Sequence, residues 1–187
     1  MQRLITLITQ DPMRMGLLKT VASLNLPDCW VAAGFVRNMV WDHLHGFAVT
    51  ALNDVDVIFF DKADVANVRA KEAHRVLEKV ATGVHWQVKN QAFMHVNNQD
   101  TPYENSLDAM SYWPEKETAV GVRLDESGVI EVATSFGLDS LFAGLISHNP
   151  KRDETIFLKR LHSKEWLTRW PNLKLGKSQL GKSQFGK

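Results

Sequence analysis

The sequence predicts a mixed α/β (α+β) protein, a mixed sheet flanked by helices. Two patterns predict it: short apolar runs of strand length alternate with longer segments whose apolar residues recur at helical spacing. A third observation singles out one strand. Asn53-Asp54-Val55-Asp56-Val57-Ile58-Phe59-Phe60 opens on two carboxylates and continues as an apolar run. Alternate side chains of a strand leave the same face, so Asp54 and Asp56 point together. Two anions that close repel each other, and one tends to hold a proton unless a cation intervenes. Hard cations such as Mg²⁺ take oxygen ligands, so the pair is a candidate metal site. The plainer reading is a solvated start to a strand, but aspartate disfavours strands, and two of them need a reason.

The elements follow in order. Apolar positions from Leu4 to Val21 fall near helical spacing, and Asp11-Pro12 divides them into two helices, with Asp as a cap and Pro in the first turn. Leu26-Pro27-Asp28 is a turn. Cys29 to Ala33 reads as a short buried strand ending at Gly34, and Phe35 to Leu44 as a helix stopped by Gly46. After the aspartate strand, residues 63–81 predict an amphipathic helix with Val65, Val68, Ala73, Val76, Leu77 and Val80 inward. Trp86 to Val96 reads as a strand, and Pro102 to Tyr112 as a helix closed by Trp113-Pro114. Ala119 to Leu124 and Val129 to Ala133 form a hairpin about Asp125-Glu126-Ser127-Gly128. Leu138 to Ile146 and Thr155 to Trp166 are the last helices. Residues 1–172 thus form a single domain. Residues 173–187 differ, because Leu175-Gly176-Lys177-Ser178-Gln179 recurs as Leu180-Gly181-Lys182-Ser183-Gln184. Such residues bury too little surface to fold, which predicts a disordered basic tail. Its Gly-Lys-Ser triplets lack the upstream glycine and the strand of a phosphate loop.

Composition narrows the function. The chain has 187 residues, 44% hydrophobic and 23% charged, the profile of an ordinary globular protein. A formal net charge of +1 singles out no strongly charged partner. The single cysteine, Cys29, excludes an intramolecular disulfide and a cysteine zinc cage. With no apolar run of membrane-spanning length and no basic-then-apolar leader, the expectation is a cytoplasmic protein without a membrane partner. The seven histidines show no His-x-x-x-His pair, and His43 and His45, two apart on a helix, do not share a face. The six tryptophans read as packing anchors, with Trp166 and Trp170, four apart, pinning the last helix.

Gly34-Phe35-Val36-Arg37-Asn38 stands at the strand-to-helix junction. Glycine there lets backbone approach a ligand, and the helix N-terminus offers N–H groups and a positive dipole end to phosphate. Arg37 adds a charged fork, unless it is only a surface ion pair. With Asp54 twenty positions after Gly34, one element can hold phosphates and the other a cation. Lys89, Asn90 and Gln91 form a polar insert in an otherwise apolar strand. Lys89 is a candidate phosphate contact, and Asn90 and Gln91 candidates for reading a base or orienting an acceptor. A wet strand face is the competing reading.

These motifs resemble the polymerase-β-like nucleotidyltransferase superfamily. Gly34-Phe35-Val36-Arg37-Asn38 with Leu44-His45-Gly46 is similar to the Gly-x-Val-Arg…Leu-x-Gly pattern of tRNA nucleotidyltransferases and poly(A) polymerases, and Asp54-Val55-Asp56 to their Asp-x-Asp. Residues 25–172 as a whole resemble a bacterial group of nucleotidyltransferase family proteins, notably in Trp86–Ala92, Trp113-Pro114-Glu115, Thr118–Arg123 and Phe136–Phe142. The signature usually begins Gly-Gly or Gly-Ser, where this chain has Ala33-Gly34, and Asn38 stands where the tRNA enzymes often have Asp. The resemblance implies transfer of a nucleoside monophosphate from a nucleoside triphosphate, with Mg²⁺ or Mn²⁺ on Asp54 and Asp56. The nucleotide would rest on Gly34, Arg37, Lys89 and Asn90. The acceptor, whether an RNA end, a protein or a small molecule, is open. The resemblance also implies a third catalytic carboxylate on a later strand. Gln87 holds the expected place in chain order but is neutral, and Glu131, flanked by Ile130 and Val132, has the expected apolar setting. Glu131 is therefore the candidate third carboxylate, with an ordinary strand residue as the competing reading. Without one, the same fold is a nucleotide-binding or regulatory module that does not turn over.

Overall fold

The computed structural model describes residues 1–48, 50–52 and 54–176. Helices α1 (Gln2–Thr9) and α2 (Pro12–Ala22) divide where expected, with the Asp11 carboxylate accepting the Arg14 backbone N–H at 3.0 Å. Strand β1 (Trp30–Ala32) leads into α3 (Gly34–His45), which Gly46 ends in the left-handed conformation. Strand β2 (Val55–Phe59), helix α4 (Val68–Val80) and strand β3 (Trp86–Asn90) follow. A 3₁₀ turn (Gln91–Phe93) and the short helices α5 (Met94–Asn98) and α6 (Ser106–Met110) lead to a second 3₁₀ turn (Lys116–Thr118). The expected hairpin is β4 (Val120–Leu124) with β5 (Ile130–Thr134). Helix α7 (Asp139–Phe142), strand β6 (Leu145–Ile146), helices α8 (Glu154–Ser163) and α9 (Trp166–Arg169) and strand β7 (Lys174–Leu175) complete the described chain.

The central sheet has the order β3-β2-β1-β4-β5. Strand β1 is antiparallel to both neighbours, β2 and β3 run parallel, and β4 and β5 are antiparallel, so the sheet is mixed. Strand alternation divides it into two faces. Val31, Val55, Val57, Trp86, Val120 and Val122 face the main core with Leu4, Ile8, Leu18, Phe35, Val40 and Leu77 from the helices. Trp30, Ala32 and Ile58 face the other side, with Met110, Ala119 and Ala133. Asp56 lies on that second face, two residues before Ile58.

Five elements differ from expectation: the helix expected over 102–112 is confined to Ser106–Met110, the one expected over 155–166 divides into α8 and α9, and three others change as follows. The helix expected over 63–81 begins at Val68, because the Asp64 carboxylate accepts the Val68 and Arg69 N–H groups. Its buried residues are Ala70, Ala73 and Leu77, one face at i, i+3 and i+7, while Val65, Val68, Val76 and Val80 are exposed. The strand expected over 86–96 ends at Asn90, whose side chain accepts the Ala92 N–H and turns the chain into helix. The helix expected over 138–146 ends at Phe142, and Leu145–Ile146 pair in parallel with Lys174–Leu175. Leu173 is buried, so ordered chain continues past residue 172. Residues 177–187, where most of the expected tail falls, lie outside the described residues.

Candidate nucleotide site

A cleft of about 340 Å³, of the size that takes a small ligand, opens on the second face of the sheet. Gly34, Arg37 and Asn38 from α3, Asp54 at the entry to β2, Asp56 within it, and Gln87 and Lys89 from β3 line it. Arg160 from α8, Lys164 between the helices, and Trp166 and Arg169 from α9 complete the rim. The pleat puts the two aspartates together, as their spacing requires. Burial pushes the Asp56 carboxyl above its usual range, Lys89 opposes that, and the Asp54 charge adds to it. One Asp54 oxygen lies 2.6 Å from His85 Nδ1. A carboxylate only accepts, so that nitrogen carries the proton.

The α3 junction is oriented by backbone. The Ala33 N–H donates to the Val120 carbonyl, and the Ala33 carbonyl accepts from Val36 and Arg37. A Cβ added at Gly34 would meet only the ends of the Asn38 and Arg37 side chains, with Asn38 Nδ2 at 3.3 Å. No packing of one backbone on another demands glycine there, and the space it leaves belongs to the cleft.

Arg37 is more deeply embedded than an exposed fork. Its Nη1 donates to Thr118 Oγ1 at 2.5 Å, its Nε and Nη2 donate to Asn38 Oδ1, and its guanidinium lies 5.0 and 4.6 Å from the ring centres of Trp41 and Trp166. Burial lowers its pKa to about 10, so it remains charged at neutral pH. Three of its five N–H donors are committed in these bonds.

The basic rim arrives through tryptophan. Trp41 of α3 packs edge-on against Trp166 and Trp170 at 5.9 and 5.2 Å, and Trp170 Nε1 donates to Asp42 Oδ1 at 2.8 Å. The expected pinning by Trp166 and Trp170 therefore falls on α3 itself, and it carries Arg160, Lys164 and Arg169 to the cleft. Arg160 also forks onto the buried Glu115, with Nε at 2.6 Å and Nη2 at 3.2 Å. For these three cations the tryptophan spacing is the only local signal in the sequence, and His85 has none, whereas Asn38 stands in the Gly34–Asn38 motif.

Two expected site residues lie elsewhere. Glu131 is on edge strand β5, separated from β2 by β1 and β4, three strand spacings or about 14 Å across the sheet. It bonds Arg123 Nε at 2.5 Å and lines a different cavity, beside Cys29. Its apolar flanks mark a strand but say nothing of which strands are neighbours. Asn90 is not in the cleft. Its Oδ1 accepts from Asp61 and Ala92 N–H, and its Nδ2 donates to the Asp61 carbonyl, tying the ends of β2 and β3 together. Directly opposite Asp56 in the β2–β3 register is Gln87. The position beside the aspartate pair thus holds an amide.

The chemistry of the donor set suits one hard cation. Mg²⁺ is commonly held by one or two carboxylates plus substrate phosphates, and Asp54 and Asp56 supply that pair. Among the described residues no group of three or more His, Cys, Asp or Glu side chains is placed to hold an ion by itself.

A mixed sheet, a strand-to-helix glycine junction and two aspartates on the neighbouring strand define the polymerase-β-like nucleotidyltransferase fold. The chain belongs to the Nucleotidyltransferase family, whose sequence profile matches residues 19–175. A solved NMR structure described as a CCA-adding enzyme head domain is similar to this chain at 31% identity and a TM-score of 0.83, covering 95% of this chain and 96% of that one. A CCA-adding enzyme in complex with CTP (14% identity, TM-score 0.59) and an apo form of a CCA-adding enzyme (16%, 0.60) share the fold. Each match covers 92% of this chain, which spans 43% and 42% of those longer proteins. No curated protein matches the chain. Among the described residues no helix is long and apolar enough to cross a membrane.

Proposed function

We propose that this chain is a metal-dependent nucleotidyltransferase that moves a nucleoside monophosphate from a nucleoside triphosphate to an acceptor hydroxyl. The observation that carries this reading is the meeting of Asp54, Asp56 and the Gly34 junction in one cleft. The N-terminal N–H groups of α3, with Arg37, Arg160, Lys164 and Arg169, form the anionic subsite for the triphosphate. Asp54 and Asp56 would hold Mg²⁺ or Mn²⁺, which supplies charge neutralisation of the phosphoryl oxygens and alignment of the triphosphate. In the transfer the acceptor oxygen bonds to the α-phosphorus and the bond to the α–β bridging oxygen breaks. Pyrophosphate leaves with that electron pair. The hydroxyl proton passes to water, because the Gln87 amide does not accept it. The lone thiol, Cys29, fits work in a reducing cytoplasm.

The test is transfer of label from each nucleoside triphosphate, with Mg²⁺ or Mn²⁺, to acceptors in cell extract. Asp54→Asn with Asp56→Asn is expected to lower transfer by ~10³-fold or more while leaving the fold intact. Transfer by that double variant at the wild-type rate overturns the reading. One observation favours a second reading, a nucleotide-binding module without turnover: the amide of Gln87 beside Asp56. Nucleotide affinity without label transfer to any acceptor is its signature.

A further inference from the structure

Strands β2 and β3 run parallel, with Asp56 opposite Gln87 and Ile58 opposite Lys89. All four side chains line the cleft. Lys89 Nζ donates to Gln87 Oε1 at 2.6 Å and stands 3.8 Å from Asp56 Oδ1. Its side chain is 45% exposed, so the ammonium is held at its base and open to a ligand. An ammonium is a compact point charge with three donors. One goes to Gln87, one side of the group faces Asp56, and the rest faces the cleft.

Charge counting gives this arrangement a meaning. Asp54 and Asp56 carry two negative charges, which one divalent cation balances. A second divalent cation on the same pair would find no third carboxylate on the protein, only phosphate oxygens of the nucleotide, and would lie within a few ångströms of the Lys89 charge. Like charges a few ångströms apart near a protein surface repel strongly. Gln87 gives a second ion a neutral oxygen at most, and that oxygen already accepts from Lys89.

We infer that this centre works with a single divalent cation, and that the Lys89 ammonium, oriented by Gln87, stands where a second cation would and contacts the acceptor oxygen. The inference rests on the nucleotidyl-transfer reading and makes Lys89 a catalytic residue in it. As the acceptor oxygen bonds to the α-phosphorus and pyrophosphate departs with the electrons of the broken bond, negative charge around the reacting centre meets a fixed positive charge. The acceptor's proton goes to water. The amide at position 87 then belongs to a working centre, because a carboxylate there would draw Lys89 into an ion pair and away from substrate.

The experiment counts ions. Full-length protein is titrated with Mn²⁺ in the presence of each of the four α,β-methylene nucleoside triphosphates, and free Mn²⁺ is read by electron paramagnetic resonance. Wild type is expected to take one Mn²⁺ per chain, and Gln87→Glu with Lys89→Ala to take two. Pyrophosphate release from the ordinary triphosphate, with cell extract as the source of acceptor, gives the second readout. Lys89→Ala is expected to lower kcat by ~10²-fold with KM for nucleotide changed less than about threefold, the signature of charge stabilisation in the transition state. Adding Gln87→Glu to Lys89→Ala is expected to recover at least about tenfold of that loss. Two ions on wild type, one ion on the double variant, or a Lys89→Ala kcat within about twofold of wild type overturns the inference. Failure of the parent reading looks different: no nucleotide binds wild type at all, or it binds equally well without Mn²⁺.

Discussion

The acidic wall of the cleft and its basic wall are drawn from different distances along the chain. Asp56, Gln87 and Lys89 sit on two adjacent parallel strands and Asp54 at the entry to the first, and the pleat sets which of the strand residues face the cleft. Arg37, Arg160, Lys164 and Arg169 come from α3 and from the C-terminal helices, and a tryptophan cluster brings them together. The acidic wall has few ties to the fold: Asp54 to an exposed histidine, Asp56 to Lys89. The basic wall is woven into the interior, through Glu115, Thr118 and the faces of Trp41 and Trp166. A charge on the first wall is replaceable without loosening the fold, at the expense of the proposed chemistry. Most charges on the second are not replaceable without loosening the fold.

The largest effect on stability is therefore expected at Arg160. Its Glu115 partner is 1% exposed, and Arg160→Ala leaves that carboxylate buried without its fork. Breaking such a pair costs about 2–3 kcal/mol here, toward the low end for buried pairs because the arginine is 36% exposed. Urea unfolding measures it. Lys164→Ala is the control on the same wall, expected to keep the wild-type unfolding midpoint and to weaken nucleotide binding by roughly threefold to tenfold in calorimetry. Equal stability for the two variants would break the distinction between woven and replaceable charges.

The same contrast explains what could be read in the sequence. The aspartate pair, the glycine junction and the β4–β5 hairpin are patterns within a few residues, and each stands where its spacing put it. Glu131 has a faultless local setting, yet its place depends on strand order, which no window of residues contains. The valines of α4 satisfied helical periodicity, but the face that meets the core is Ala70, Ala73 and Leu77, where small side chains permit close approach. Asn90 reads as part of a polar insert in a longer strand, while its short amide found backbone partners at Asp61 and Ala92 and ended the strand. Of the basic wall, Arg37 was legible in the junction motif, and the C-terminal cations only as two tryptophans four apart. Their partners, Trp41 and Asp42, lie on an element more than a hundred residues earlier.

A smaller effect is expected where the two walls meet. Ala33 links β1 to α3 with φ 57° and ψ −122°, a conformation glycine adopts freely and alanine does not. Strain of this kind costs ~1–3 kcal/mol, and a glycine loses up to ~1 kcal/mol in extra unfolded-state entropy. Ala33→Gly is therefore expected to stabilise the protein by about 1 kcal/mol, seen as a raised melting temperature. A lowered melting temperature would mean that the alanine methyl packs well enough to outweigh its backbone.

The smallest effect is read through pH, at the acidic wall. Burial, with the Asp54 charge adding to it, pushes the Asp56 carboxyl up, while Lys89 opposes. In the pH range where Asp56 titrates, the folded state then binds more protons than the unfolded state, so stability falls as pH rises through that range. Below the ordinary carboxylate range both states are protonated and the group contributes nothing. Above the raised folded value the ionised carboxylate costs stability in full. Asp56→Asn removes that cost, so it is expected to be more stable than wild type at pH 7, and the gain is expected to vanish by about pH 3. Urea unfolding at the two pH values measures it. A divalent cation that binds the aspartate pair offsets the same cost, so Mg²⁺ with a nucleoside triphosphate is expected to raise the melting temperature of wild type more than that of Asp56→Asn. An equal rise in both would place the cation on the nucleotide alone, and the acidic wall would then have no part in holding it.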